Sequence, residues 1–172
     1  MGPISQRAKP NRADLAQLYT RYEPGVLRLA YLLTRDQHLA QDIVQDAFVR
    51  AFGRFGHLRH QDAFYSYLRR TVINLTQDHF RRREAERAAL ERNSNRDIAV
   101  PAVDPIDERD RIWRALLALP HRQQAVLVLR YYEDLSEAGA AEVLGCSVSA
   151  VKSLANRGMR ALRVTLEGND EF

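Results

Sequence analysis

The sequence predicts an all-α protein built as two small helical domains joined by a linker, and three observations predict it. Apolar residues recur at helical spacing through most of the 172 residues, as in Leu15, Leu18, Tyr19, Tyr22, Val26, Leu29, Ala30 and Leu33. The stretch from Asn93 to Pro105 holds two prolines and no apolar stripe, which reads as an extended connection. No segment alternates apolar and polar residues in the manner of a strand, and no internal repeat stands out.

Taken in order, residues 1–12 form a tail and a first helix starts at Ala13. Pro24 suits the first turn of a second helix, where its missing N–H is no loss. The Asp36 region suits the N-terminus of a third helix from about His38 to Phe52, with a core stripe of Leu39, Ile43, Ala47 and Ala51 flanked by Val44 and Phe48. Gly53 and Gly56 open a loop to Gln61, and Asp62 is a good N-cap for a fourth helix carrying Phe64, Leu68, Val72 and Leu75 on one face. The helix runs on through Arg81-Arg82-Arg83 into the charged stretch Glu84 to Arg92, where the apolar period fades and fraying is expected. The first domain therefore spans 13–92, the linker 93–106, the second domain 107–166, and a short tail 167–172.

In the second domain Ile112, Leu116 and Leu119 mark a helix cut at Pro120, and Ala125, Val126, Leu129 and Tyr132 mark the next. Two more helices, about Ser136 to Leu144 and Ser147 to Leu166, are separated only by Gly145-Cys146. A glycine able to take the left-handed conformation, followed by a serine N-cap and a basic helix, makes a helix-turn-helix pattern. Val151, Ala155, Met159 and Leu162 fall on one side of the last helix. Ser149, Lys152, Ser153, Asn156, Arg157 and Arg160 are left on a side that can face a major groove. Asn156 and Arg157 suit bidentate contacts to base edges, while Lys152 and Ser153 suit phosphates. A solvated basic helix closing an ordinary bundle has the same pattern, so the pattern alone names no function.

Composition narrows the classes. The net charge of +4 permits a polyanion partner, and the charge is concentrated: five arginines against one acid from Arg69 to Arg83, and Lys152, Arg157, Arg160 and Arg163 against none from Ser147 to Val164. No apolar run approaches the roughly 18 to 20 residues of a membrane span, so no membrane insertion and a cytoplasmic location are expected. Cys146 is the single cysteine, which excludes an internal disulfide and a Cys-rich zinc site and is best read as packing. His57 and His60 have no Cys or carboxylate at ligand spacing, so no metal is expected there. With no glycine-rich phosphate loop, His-Glu-x-x-His run or nucleophile elbow, neither an enzyme nor a cofactor is indicated.

The segment from Leu119 to Ser136, LPHRQQAVLVLRYYEDLS, followed by VLGCSVSAVKS from Val143 to Ser153, closely resembles the region 4 domain of extracytoplasmic-function (ECF) sigma factors. AQDIVQDAF from Ala40 and YLRRTVINL from Tyr67 look like that family's region 2 domain, especially in actinobacterial members. The resemblance implies core RNA polymerase and promoter DNA as partners, with an anti-sigma protein as a further partner in many members. It implies that Gln41, Asp42, Gln45, Asp46 and Val49 dock on the polymerase. It also implies capture of the melted -10 element by Arg54, His57, Arg59, His60, Phe64, Tyr67, Arg69, Arg70, Asn74 and Gln77, although Phe64 and one tyrosine also suit the core. The -35 element falls to Ser149, Lys152, Ser153, Asn156, Arg157 and Arg160.

Three positions depart from the family pattern. Gly139 stands where a Glu completes a capping box, which weakens that helix by roughly 1 kcal/mol. Leu154-Ala155 places a leucine near the DNA side, and Ile73 replaces a frequent basic residue before Asn74. A helix-turn-helix transcriptional regulator that does not stably bind polymerase is the alternative, but it accounts only for residues 107–166.

Overall fold

A computed structural model describes residues 12–54, 61–93 and 108–167. The elements are α1 (Arg12–Thr34), α2 (Gln37–Gly53), α3 (Gln61–Asn93), α4 (Glu108–Leu117), α5 (His121–Leu127), a π-helical turn (Val128–Tyr132), α6 (Glu137–Leu144) and α7 (Val148–Glu167). No strand occurs among the described residues. The chain divides into two compact units, one ending at Leu75 and one beginning at Thr76, so α3 contributes to both.

In the first unit, α1 corrects the expectation of a break at Pro24: it is one continuous helix with the proline inside it. The reason is that the apolar stripe stays in phase across the proline, with Leu18, Tyr22, Val26, Leu29 and Leu33 all buried. Pro24 and Thr20, whose carbonyl the proline cannot bond, are both exposed, so water can satisfy the freed oxygen. Gly25 has a separate role. A Cβ there would lie 2.5 Å from the Tyr65 hydroxyl, so the glycine lets α3 approach α1.

Two residues turn the chain from α1 into α2. Arg35 adopts a left-handed φ of 54°, Asp36 caps α2 by accepting from the Leu39 N–H at 3.0 Å, and the Thr34 hydroxyl donates to the Ala30 carbonyl at 2.9 Å. Ala40, Ile43, Val44, Ala47, Phe48 and Ala51 are buried on α2, and Phe64, Leu68, Val72 and Leu75 on α3, as their spacing predicts. Leu39, expected in the stripe, is only half-buried. Ring contacts then tie the three helices together: Tyr19 to Phe48 at 4.7 Å, Phe52 to Phe64 at 6.1 Å and Tyr22 to Tyr65 at 4.7 Å.

In the second unit α7 packs against α4, α5 and α6. Ser136 caps α6 by accepting from the Gly139 N–H at 3.0 Å, so one half of the capping box survives while the glycine removes the reciprocal bond. Gly145 takes the left-handed conformation (φ 62°, ψ 42°), and the Cys146 N–H reaches back to the Ala141 carbonyl at 3.1 Å. Ser147 accepts from the Ala150 N–H at 3.2 Å and starts α7. The turn predicted between the last two helices is therefore formed by the residues that predicted it.

Three expectations about facing need correction here. Ile112 is 45% exposed and its neighbour Trp113 is buried in its place, while Leu116 and Leu119 are buried as expected. Tyr132 is 49% exposed, because the π turn inserts extra backbone and rotates the side chains after Leu129 away from the core. Met159 is 43% exposed, and the buried position beside it is Gly158. A Cβ at Gly158 would meet Leu127 Cδ1 at 3.0 Å, so this glycine sets how closely α7 lies on α5.

Candidate nucleic-acid interface

The last helix presents a clear division. Val151 and Gly158 are buried, while Ser149, Lys152, Ser153, Asn156, Arg157 and Arg160 are all exposed. The helix that precedes it is capped at both ends, so the orientation of this row is fixed by the Gly145 turn and by packing of α6 and α5 on α7. Arg157 Nε donates back to the Ser153 carbonyl at 3.3 Å, which leaves the outer guanidinium nitrogens facing solvent on an exposed side chain. Leu154 and Ala155, whose order departs from the family pattern, are both half-buried. Cationic side chains beside amide and hydroxyl groups on one helical face can neutralise phosphates and bond to base edges together.

On α2, Gln41, Asp42, Gln45, Asp46 and Val49 are exposed without exception, opposite the buried stripe. Asp42 and Asp46 lie one turn apart, so two like charges share this face and leave it acidic. Val49 is 67% exposed and adds an apolar spot at its end. An acidic, partly apolar helical face of this kind suits a basic protein partner rather than DNA.

The positions predicted for the single-stranded element are sorted by burial. Phe64 is 1% exposed and touches Phe52 and Tyr22, so it is a core residue and cannot offer its ring to a base. Tyr65 is the tyrosine that packs: its ring stacks on Tyr22, and the Arg69 guanidinium lies 4.0 Å from its centroid. Arg69 is thus engaged in packing. Tyr67 is half-buried with the Arg54 guanidinium 5.9 Å from its ring, and Arg70 and Asn74 are exposed, with Gln77 half-buried one turn further on. His57, Arg59 and His60 lie outside the described residues. Ile73 is 3% exposed, so the loss of a basic residue there reflects a core position, not a weakened surface contact.

Spacing alone missed one surface. Ile112, Trp113, Leu116, Leu127, Val128, Tyr131, Tyr132, Met159 and Leu162 line an apolar cleft of about 450 Å³ in the second unit. Its signal in the sequence is weak, because the π turn that turns Tyr131 and Tyr132 outward has no local motif. In the same unit, His121 sits 6.4 Å from the Phe80 ring, and neither of its ring nitrogens has a hydrogen-bond partner among the described residues. Burial lowers its pKa from 6.5 to about 4. Among the described residues no group of three or more His, Cys, Asp or Glu is placed to hold a metal ion, and no helix is long and apolar enough to cross a membrane.

Comparison with known proteins covers both units. The family model for sigma-70 region 2 matches residues 18–86, and that for sigma-70 region 4 matches residues 109–162. The RNA polymerase sigma-E factor of Streptomyces avermitilis is 32% identical over 148 residues, spanning 86% of this chain and 82% of that one. The ECF RNA polymerase sigma factor SigW of Bacillus subtilis is 30% identical over 176 residues, spanning 95% and 94%. The ECF sigma factor SigM of Mycobacterium tuberculosis is 33% identical over 156 residues, spanning 88% and 76%. Among solved structures, CnrH in complex with the cytosolic domain of CnrY matches with a TM-score of 0.67 at 27% identity, over 95% of this chain and 94% of that one. The sigma factor RpoE of Bartonella quintana, in complex with the anti-sigma factor NepR, shares the fold with a TM-score of 0.61 at 21% identity. A regulator that matched only the second half would not account for the region 2 match. With both regions in order and relatives of 30% identity or more along most of their length, the chain belongs to the extracytoplasmic-function sigma factors of the sigma-70 family.

Proposed function

We propose that this chain binds core RNA polymerase in the cytoplasm, directs it to promoters with matched -35 and -10 elements and promotes melting there, contributing no catalytic group of its own. The domain limits we assign are 13–92 for region 2 and 107–166 for region 4, with 93–106 as the tether and short tails outside. The observation that carries the proposal is the pairing of two exposed helical faces of opposite character: the acidic row Gln41, Asp42, Gln45, Asp46 and Val49 on α2, and the cationic row from Ser149 to Arg160 on α7. The first suits the polymerase. The second suits the -35 duplex, with Asn156 and Arg157 on base edges and Lys152, Ser149, Ser153 and Arg160 toward the backbone.

For the -10 strand, Tyr67, Arg54, Arg70, Asn74 and Gln77 are the described residues we assign, with His57, Arg59 and His60 between α2 and α3 in the sequence. Phe64 and Arg69 are reassigned to supporting that surface from within. Base stacking on an aromatic ring and backbone contacts from arginines are the interactions that reward an unpaired strand. Solved CnrH is bound to the cytosolic domain of CnrY, and the open apolar cleft beside Trp113 supports extending the proposal to an anti-sigma protein that occludes these faces.

The test is run-off transcription with core polymerase and a library of genomic fragments. Promoter-dependent transcripts are expected, and a double charge reversal, D42K with D46K, should abolish them and release the polymerase in co-purification while leaving duplex binding in place. No promoter-dependent product from the unaltered protein would overturn the proposal.

A further inference from the structure

Glu137 belongs to neither of the two exposed rows. It is the first residue of α6, and one of its carboxylate oxygens lies 3.4 Å from the Lys152 ammonium on α7. The two side chains are 39% and 58% exposed respectively. An ion pair this wet adds little to stability, because its attraction is weakened by water and salt and two long side chains must be ordered to make it. Nor is it needed to hold α6 on α7. The Ser136 cap, the left-handed Gly145 and the buried Ala140, Ala141, Val143 and Val151 already do that.

Its position is the informative feature. Lys152 belongs to the exposed cationic row of α7, whose sequence contains no acid before Glu167. Glu137 therefore places a negative charge from a neighbouring helix at the edge of that row, aimed at one of its cations. A phosphate that approaches Lys152 must displace the carboxylate and also meets its repulsion. The phosphate contact is the same whether or not Asn156 and Arg157 also meet base edges, so the competition lowers affinity for every duplex by a similar factor.

We propose that Glu137 limits the affinity of the α7 interface: it competes with backbone phosphates for Lys152 and so weakens duplex binding whatever the base sequence. The proposal rests on the reading of α7 as the face that meets duplex DNA. It adds a limit on backbone affinity which that reading alone does not require.

The test uses the full chain and a random-sequence duplex, with affinity followed by fluorescence anisotropy across a range of salt concentrations. Glu137→Gln should raise affinity for this duplex about fivefold at low salt. It should also steepen the dependence of log affinity on log salt by about one, because Lys152 becomes free to neutralise one more phosphate. In a Lys152→Ala background the same substitution should give little gain, since the cation it releases is gone. Unchanged affinity and salt slope for Glu137→Gln would overturn the proposal while leaving the duplex-binding role of α7 standing. An equal gain in both backgrounds would also overturn it, assigning the effect to net charge rather than to the pair. If the unaltered protein fails to bind the duplex at all, the reading of α7 falls and this proposal falls with it.

Discussion

The two units bury their aromatic residues in different ways, and the difference separates what holds the molecule together from what it offers to partners. In the first unit Tyr22, Phe48, Phe52, Phe64 and Tyr65 join three helices through ring contacts, and Phe64 lies in the middle of them. In the second unit Trp113 is buried but Tyr131 and Tyr132 project at 64% and 49% exposure around an open apolar cleft. A closed aromatic core spends its rings on stability. An open one leaves apolar area that water covers poorly and a partner can cover better.

The largest expected effect is on the closed core. Phe64→Ala should destabilise the first unit by about 3–5 kcal/mol, since a fully buried ring is removed from a site walled by other rings. The protein's single tryptophan, Trp113, is in the second unit, so denaturant titrations followed by its fluorescence and by circular dichroism can be compared. The loss should appear in the dichroism transition and much less in the fluorescence. Equal shifts in both signals would mean that the two units unfold as one and that the contrast between them is only geometric.

His121 sharpens the contrast from the other side. In the unfolded chain its imidazole takes up a proton near pH 6.5, whereas burial in the folded second unit delays this to about pH 4. Between those values the unfolded state binds a proton that the folded state refuses. The second unit should therefore lose stability as pH falls through that window, and His121 should add no further loss below it. The full effect is about 3 kcal/mol, and above pH 6.5 it vanishes. Trp113-monitored denaturation at several pH values, with His121→Leu as the control, measures it. A wild-type midpoint that falls no faster with acid than the variant's would rule out this assignment.

The smallest effect is expected at the turn. Gly145→Ala forces a side chain into the left-handed region and should cost about 1 kcal/mol of second-unit stability. Because the same turn sets the angle of α7, duplex affinity should fall by more than the fraction unfolded accounts for. A fall that merely tracks unfolding would make the turn a fold element with no bearing on the interface.

Much of this was legible beforehand wherever a feature depends on neighbours along the chain. The Asp36, Ser136 and Ser147 caps and the Gly145 turn appear where residue type and position put them, because each satisfies backbone groups within a few residues. The exposed rows on α2 and α7 were legible for the same reason, since a helix of known phase has a known outer face. Those local rules are overridden at particular residues. Pro24 is a local helix breaker that the in-phase stripe of Leu18, Tyr22 and Val26 overrides, and Gly158 is a poor helix former kept inside α7 by the Leu127 side chain it accommodates.

Residue order along the chain thus sets most of the helices and their ends, the sign of charge on each outer face and, through long matching segments, the family. Only the tertiary structure decided which of several adjacent apolar residues turns inward. Trp113 rather than Ile112, Tyr65 alongside Phe64, and Gly158 rather than Met159 are its choices, and it also placed Glu137 against Lys152. The physical reason is that hydrogen-bonded caps and helical period are set within one or two turns of chain. Burial is instead settled by the volume and shape of side chains that meet only after distant helices pack.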